Sequence, residues 1–235
     1  MELSVRMRAA ANLVTPGQRV ADIGTDHAYI PVWLVQHDRA VSALAMDVRE
    51  GPLTHARASI SKYGLTDRIT TRLSDGLDGL TGGEADCVIM TGMGGMLMIR
   101  LLERGLGVLE TVSECVLGPQ SDLAEVRAFL QAHHWMIADE EMVLDAGKYY
   151  TLMRVVHGET PPLAEAEALY GPVLIRKRHP VLREYLDKEM AHLENIRQGL
   201  LKQSTEKSRC RLGEIETQIQ LVRQAVTMMS GAVSD

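Results

Sequence analysis

The sequence predicts an α/β protein: a mainly parallel sheet followed by a helical appendage. Three observations carry this. Short apolar runs alternate with helical patterns up to about residue 158, the first such run breaks at a glycine straight into a helix, and beyond Thr160-Pro161-Pro162 the apolar residues keep helical spacing.

Taken in order, the predicted strands are 19–23, 42–46, 69–72, 85–90 and 113–117, then 136–144 and 149–157. Each of the first five precedes a helical or turn-like segment, which points to parallel strands joined by crossovers. Only Asp145-Ala146-Gly147-Lys148 separates the last two, a length that suits an antiparallel hairpin. A parallel sheet closed by one reversed hairpin is the outline of class I, Rossmann-like methyltransferase domains and not of the dinucleotide-binding domain. Residues 1–159 are assigned to this domain and 160–235 to a second.

In the second, Leu182, Leu186, Met190, Leu193, Ile196 and Leu200 form one helical stripe, and Leu212, Ile215, Ile219, Val222 and Val226 form another. Gln203-Ser204-Thr205-Glu206-Lys207-Ser208 between them lacks apolar anchors and reads as a turn. Two antiparallel helices in a coiled-coil hairpin are expected, with Pro172 and Pro180 shaping the entry. The plainer alternative is that these helices pack against the first domain. A monomer is expected, with self-association through the heptads as the other possibility.

A chain of 235 residues buries one good α/β core with a smaller appendage. Its 46% hydrophobic and 24% charged content is ordinary for a soluble protein. No run approaches the roughly 18 to 20 apolar residues of a membrane span, and the first twenty residues lack the pattern of a signal peptide. A cytoplasmic protein with no membrane partner is expected. Cys87, Cys115 and Cys210 are far apart with no C-x-x-C spacing, so neither disulfides nor a structural metal are indicated. The net charge of −6 does not advertise nucleic-acid binding, but it is unevenly divided. Residues 1–159 carry 14 Lys+Arg against 21 Asp+Glu (−7), and residues 160–235 carry 11 against 10 (+1), so a polyanion would favour the second part or a local basic patch on the first.

The chemistry should sit beyond the carboxyl ends of the parallel strands. The first such end, Asp22-Ile23-Gly24-Thr25-Asp26-His27-Ala28-Tyr29, is a strand–glycine–helix turn, and Asp47 stands at the tip of the next strand. A glycine there admits close approach of backbone to a ligand, and an acid at the second tip accepts bonds from ribose hydroxyls. The dinucleotide pattern G-x-G-x-x-G is absent: Gly24 stands alone, with Asp26 in place of the second glycine. A carboxylate at that position repels pyrophosphate but suits an ammonium or a sulfonium. S-adenosylmethionine (SAM) has both cations and no phosphate.

Further polar or glycine-rich clusters follow: Asp47-Val48 after the second strand, Ser74-Asp75-Gly76-Leu77 after the third, Thr91-Gly92-Met93-Gly94-Gly95 after the fourth and Gly118-Pro119-Gln120-Ser121 after the fifth. The expected cofactor set is Asp22, Gly24, Asp26, His27, Asp47, Val48, Asp75, Gly76 and Gly94. Gly24 would approach the methionine portion, Asp26 or His27 its ammonium, Asp47 the ribose diol, and Asp75 with Gly76 the adenine. The glycines around Gly94 would hold a base edge, and Tyr29, Tyr149 or Tyr150 would stack on a base. Each has a bland counterpart. Asp22 and Asp75 could cap helices or brace turns, His27 could be a mere first-turn residue, and the tyrosines at 149 and 150 could be strand core.

The segments 22–31 (Asp-Ile-Gly-Thr-Asp-His-Ala-Tyr-Ile-Pro), 46–53 (Met-Asp-Val-Arg-Glu-Gly-Pro-Leu), 74–77 (Ser-Asp-Gly-Leu), 90–95 (Met-Thr-Gly-Met-Gly-Gly) and 118–120 (Gly-Pro-Gln) together resemble the bacterial TrmK family of tRNA adenine-N1 methyltransferases. The resemblance covers nearly the whole chain. It implies SAM-dependent methylation of N1 of the adenine at tRNA position 22, with Gly24, Asp26, His27, Asp47, Asp75 and Gly76 lining the SAM pocket and Tyr29, Gly94 and Gln120 facing the base. On this reading Asp26 assists electrostatically, Tyr29 stacks on or orients the base, and Arg176-Lys177-Arg178, with the turn residues Lys202, Lys207, Arg209 and Arg211, meets tRNA phosphates; solvated helix charges are the plain alternative. Three other readings stand beside it. They are a methyltransferase acting on another RNA base, a nicotinamide-dependent reductase, which leaves the missing glycines and the final hairpin unexplained, and a catalytically silent SAM-binding adaptor.

Overall fold

The structure, a computed structural model, describes residues 1–203 and 205–231. Its seven strands are β1 (Gln18–Ile23), β2 (Ala40–Asp47), β3 (Ile69–Leu73), β4 (Cys87–Thr91), β5 (Glu114–Gly118), β6 (Trp135–Asp145) and β7 (Lys148–His157). They form one sheet in the order β3-β2-β1-β4-β5-β7-β6. β1 to β5 are mutually parallel, and β7 runs antiparallel to both β5 and β6. β5 is buried throughout and β4 nearly so, which is why both read as continuous apolar runs and not as alternating ones. Burial accounts equally for the inert character of Cys87 and Cys115, whose thiols it pushes up in pKa.

The crossovers are α2 (Tyr29–Gln36) from β1 to β2, α3 (Glu50–Lys62) from β2 to β3, α4 (Gly95–Arg104) with the short α5 (Leu106–Leu109) from β4 to β5, and α6 (Leu123–Ala132) from β5 to β6; a turn-rich segment joins β3 to β4. The strand order reverses between β1 and β4, so the carboxyl ends of these two neighbours open a crevice. One helix was not expected. α1 (Val5–Leu13) buries Ala9, Ala10 and Ala11, and packs on β6, β7 and α2. Three consecutive alanines leave no apolar stripe to read, but they allow close packing.

The chain divides into one compact unit, Met1–Pro161, and a second from Pro162 onward. The second unit holds α7 (Glu165–Tyr170), α8 (Pro172–Arg176), α9 (Pro180–Leu201) and α10 (Glu206–Ser230). α9 and α10 run antiparallel, with Leu182, Leu186 and Leu193 buried on one and Ile215, Ile219 and Val222 on the other. Arg197 to Glu216 at 3.7 Å and Arg223 to Glu194 at 3.4 Å tie their flanks.

The expected turn over 203–208 is corrected in part. Helix begins at Glu206, because the Thr205 hydroxyl caps it by accepting from the Ser208 amide at 3.2 Å. A polar cap starts a helix without any apolar anchor. Lys207, Arg209 and Arg211 are therefore helical and not turn residues, and Ser204 lies outside the described residues. Pro172 and Pro180 each open a helix, where a missing amide costs nothing. Among the described residues no helix is long and apolar enough to cross a membrane.

Candidate functional site

β1 ends at Ile23, and the chain turns at Gly24 with φ +79°. The Gly24 and Thr25 amides both donate to the Met46 carbonyl, at 2.8 and 2.9 Å, folding the turn over the end of β2. A side chain at Gly24 would meet Met93 Cε at 3.2 Å in addition to the strain of positive φ. Ala28, just before α2, is also left-handed at φ 53°, an uncommon conformation for a residue with a Cβ. The neighbouring ends are pinned in the same manner. Ser74 donates its amide to the Asp47 carbonyl at 2.9 Å, the Asp47 carboxylate accepts from the Arg49 amide at 2.8 Å, and Gln120 donates its amide to the Met93 carbonyl at 2.9 Å.

A cavity of about 240 Å³ opens beyond β1 and β4. Asp22, Gly24, Asp26, His27, Tyr29 and Gln120, all singled out from the sequence, line it. Asp47, Val48, Asp75, Gly76 and Gly94 are not in its wall. They stand on the adjoining strand ends, where Val48 is an exposed apolar residue and Gly94 precedes α4. Tyr150 lies in a small adjoining cleft with Thr91 and Gly92. Arg176 closes α8, Lys177 caps it, and Arg178 is left-handed at φ 52°, donating to the Gly231 carbonyl at 2.7 Å.

Sequence reasoning missed Arg6, Met7 and Thr25 in the cavity wall. The first two come from α1, which carries no motif. Arg6 stands 5.4 Å over the Tyr150 ring and donates its backbone amide to the Asp145 carboxylate at 3.3 Å, so the rim has a cation.

The polar groups of this cavity are unevenly satisfied. Asp22 is a buried strand residue and not a helix cap. Burial pushes its carboxyl up to about 6; the nearby Thr25 hydroxyl tempers the rise and the Asp47 charge adds to it. The Thr25 oxygen is itself buried and makes no hydrogen bond of good geometry. Asp26 is 70% exposed, 3.5 Å from His27 Nε2 and 3.6 Å from His55 Nδ1. The His27 ring stacks on Tyr29 at 4.9 Å and on His55 at 4.7 Å.

At the β3 end, Asp75 accepts from Arg104 at 2.9 Å, while Ser74 braces the turn by accepting from the Gly79 amide at 2.8 Å. Gly76 there has φ 61°, and a Cβ would fall 2.6 Å from Leu101 Cδ2.

These features match a cationic nucleoside and not a dinucleotide. The turn offers carboxylates where a pyrophosphate would need free amides, and it excludes a side chain at Gly24. Fold and site together define a class I SAM-dependent methyltransferase. The family described as TrmK, tRNA (adenine(22)-N(1))-methyltransferase, matches residues 20–224, and the chain belongs to it.

The tRNA (adenine(22)-N(1))-methyltransferase of Bacillus subtilis (strain 168) is 28% identical over 232 residues, covering 96% of this chain and 98% of that protein. Among solved structures, Streptococcus pneumoniae Sp1610 in complex with S-adenosyl-L-methionine has a TM-score of 0.85 at 30% identity, covering 95% of this chain and 99% of that one. M. capricolum TrmK in complex with S-adenosyl-homocysteine has a TM-score of 0.84 at 26% identity, covering 97% and 100%.

Proposed function

We propose that this chain methylates N1 of the adenine at position 22 of tRNA, and that the cavity beyond β1 and β4 is where donor and base meet. The observation that carries the reading is the acid-lined glycine turn of β1, set in a chain that belongs to this family from residue 20 to residue 224. When bound, SAM supplies an electrophilic methyl group.

The protein's own residues have four tasks. Gly24, Asp22, Asp26 and His27 hold the methionine end, with the Asp26 carboxylate opposite its cations. Asp47 takes the ribose diol, and Val48, Asp75, Gly76 and Gly94 frame the adenine of the cofactor. Tyr29, Gln120 and Tyr150 orient the target base, and Gly94 lets backbone come close to it. Arg176, Lys177 and Arg178 meet tRNA phosphates, with Lys202, Lys207, Arg209 and Arg211, and Arg6 adds a cation at the cavity rim.

No general base is required. Adenine N1 bears an in-plane lone pair, so it attacks without first losing a proton, and the product ring is cationic. A carboxylate at Asp26 offsets that developing charge, and Tyr29 fixes the approach. A base within folded tRNA must leave its stack to be reached, so flipping is part of the cycle. The chain is expected to act as a cytoplasmic monomer.

The test is transfer of labelled methyl from SAM to an unmodified tRNA transcript and to one with guanine at position 22. Label recovered as 1-methyladenosine, and lost with the altered transcript, is the expected result. Label that persists on the altered transcript assigns another base, and SAM binding without any transfer assigns an adaptor.

A further inference from the structure

Three metal-ligating side chains meet at the rim of the β1 turn, and methyl transfer as described uses only two of them. Asp26 and His27 belong to the turn, whereas His55 comes from α3 and has no task in the reaction. One Asp26 oxygen lies 3.5 Å from His27 Nε2 and the other 3.6 Å from His55 Nδ1. One ligand atom from each of the three residues lies within 4.8 Å of the other two. A tetrahedral ion with bonds of about 2.1 Å holds its ligand atoms about 3.4 Å apart. Each imidazole already lies near that spacing from one Asp26 oxygen, but from opposite oxygens, so a shared ion draws all three side chains together by rotation. The His27 and His55 rings are 4.7 Å apart and within 7° of parallel, so their in-plane nitrogen lone pairs run side by side and the rings must turn to share an ion.

Solvent reaches the cluster: the side chains of Asp26, His55 and His27 are 70%, 57% and 36% exposed. Two imidazoles and one carboxylate, with water completing the shell, select a borderline ion such as Zn²⁺, Co²⁺ or Ni²⁺ over the oxygen-seeking Mg²⁺ and Ca²⁺.

We propose that Asp26, His27 and His55 form a site for a zinc-class divalent ion, and that its occupancy inhibits the enzyme by weakening SAM binding. The coupling rests on the reading of Asp26 and His27 as cofactor residues; the site itself does not. A bound dication takes both residues out of the SAM pocket. It also more than cancels the Asp26 charge, so the turn attracts a cationic ligand less strongly.

The experiment uses the full chain in a Cys210→Ser background, which removes the exposed thiol as a competing ligand. Co²⁺ is titrated into protein stripped with chelator and followed by its visible absorption, and SAM affinity is measured by calorimetry with and without Zn²⁺. One equivalent of Co²⁺ is expected to bind, with affinity falling at least about tenfold in His55→Ala and in His55→Gln. Zn²⁺ is expected to raise the SAM dissociation constant at least about tenfold in the parent, reversibly with chelator, and not in either His55 variant. Both variants should methylate tRNA normally without metal. Co²⁺ binding that ignores His55 overturns the site. Binding that depends on His55 but leaves SAM affinity unchanged overturns the inhibition. Failure of tRNA methylation with the Co²⁺ result intact counts against the reaction and not against the site.

Discussion

Two of the buried carboxylates of the sheet unit stand on opposite sides of a division between framework and site. Glu140 of β6 and Arg127 of α6 are both 0% exposed, and the guanidinium donates to Glu140 at 2.9 and 3.2 Å. Asp22 of β1 is 6% exposed, and among the described residues no cation lies within ion-pair distance of it. The first carboxylate is compensated from within the chain and pins a helix to the sheet. The second is left at the wall of the cavity where a cationic ligand is proposed to bind. An uncompensated buried carboxylate is costly in the free protein, and that cost is recovered when a cation arrives. The contrast separates a charge that holds the fold from one that waits for a partner.

The largest effect is expected from breaking the compensated pair. Arg127→Met leaves Glu140 buried without its cation and should destabilise the protein by about 3–5 kcal/mol. Urea denaturation measures this, and Arg127→Met with Glu140→Leu should recover most of the loss, because the penalty belongs to the stranded charge. Equal instability of single and double variants would mean that the pair acts by shape and not by charge.

Asp22 should behave in the opposite sense. Its carboxyl titrates at about 6 in the folded chain against 3.8 for the ordinary group, so the folded state binds the proton more tightly. The stabilisation from protonating Asp22 is thus fully present below about pH 4 and is lost as pH rises through 6, a difference of about 3 kcal/mol. Asp22→Asn removes that dependence. At pH 8 the ligand-free variant should be about 1–3 kcal/mol more stable than the parent, with the gap closing towards pH 4. SAM should stabilise the parent more than the variant. A variant less stable at every pH, with SAM affinity intact, would mark Asp22 as a framework residue like Glu140.

The two carboxylates were unequally legible. Asp22 stands beside Gly24 in a strand–helix turn, so its place at the site could be read from neighbours in sequence. Glu140 sits in a β6 segment whose charged residues, Asp139, Glu140 and Glu141, mimic a solvated strand, and nothing local announces that Arg127 reaches it. β1, β4 and β5 were legible because burial on both faces writes itself as apolar runs, and the closing hairpin because only a short turn separates its strands. α1 was not, because alanines pack by smallness, and with it Arg6 and Met7 were lost from the cavity wall. His55 escaped for a related reason: it joins Asp26 and His27 only through the packing of α3 beside the β1 turn.

The glycine turn offers a sharper test of the site side of the comparison. Gly24→Ala places a Cβ at positive φ and 3.2 Å from Met93 Cε. Left-handed strain costs about 1–2 kcal/mol, and the long Met93 side chain can yield, so the loss of stability should stay near that range. SAM affinity should fall at least about tenfold, because the added methyl stands where the ligand's contact with the backbone is proposed to form. Calorimetric titration reads the second number and thermal unfolding the first. A variant that loses stability but not SAM affinity would place the ligand away from this turn.

The smallest effect is expected at Arg104, which pairs with Asp75 at 2.9 Å and also reaches Asp78, at the end of the sheet where the adenine of SAM is proposed to lie. The pairing is exposed, so solvent already satisfies both partners, and Arg104→Ala should leave the thermal midpoint unchanged within error. Its consequence should be seen in affinity alone. If Asp75 accepts from the adenine amino group, freeing it from Arg104 removes a competitor and SAM should bind equally well or up to about threefold more tightly. If Arg104 instead holds Asp75 in position, affinity falls, and the carboxylate belongs with Glu140 among charges that need their cation. The direction of this small change therefore decides on which side of the comparison the third-strand acid stands.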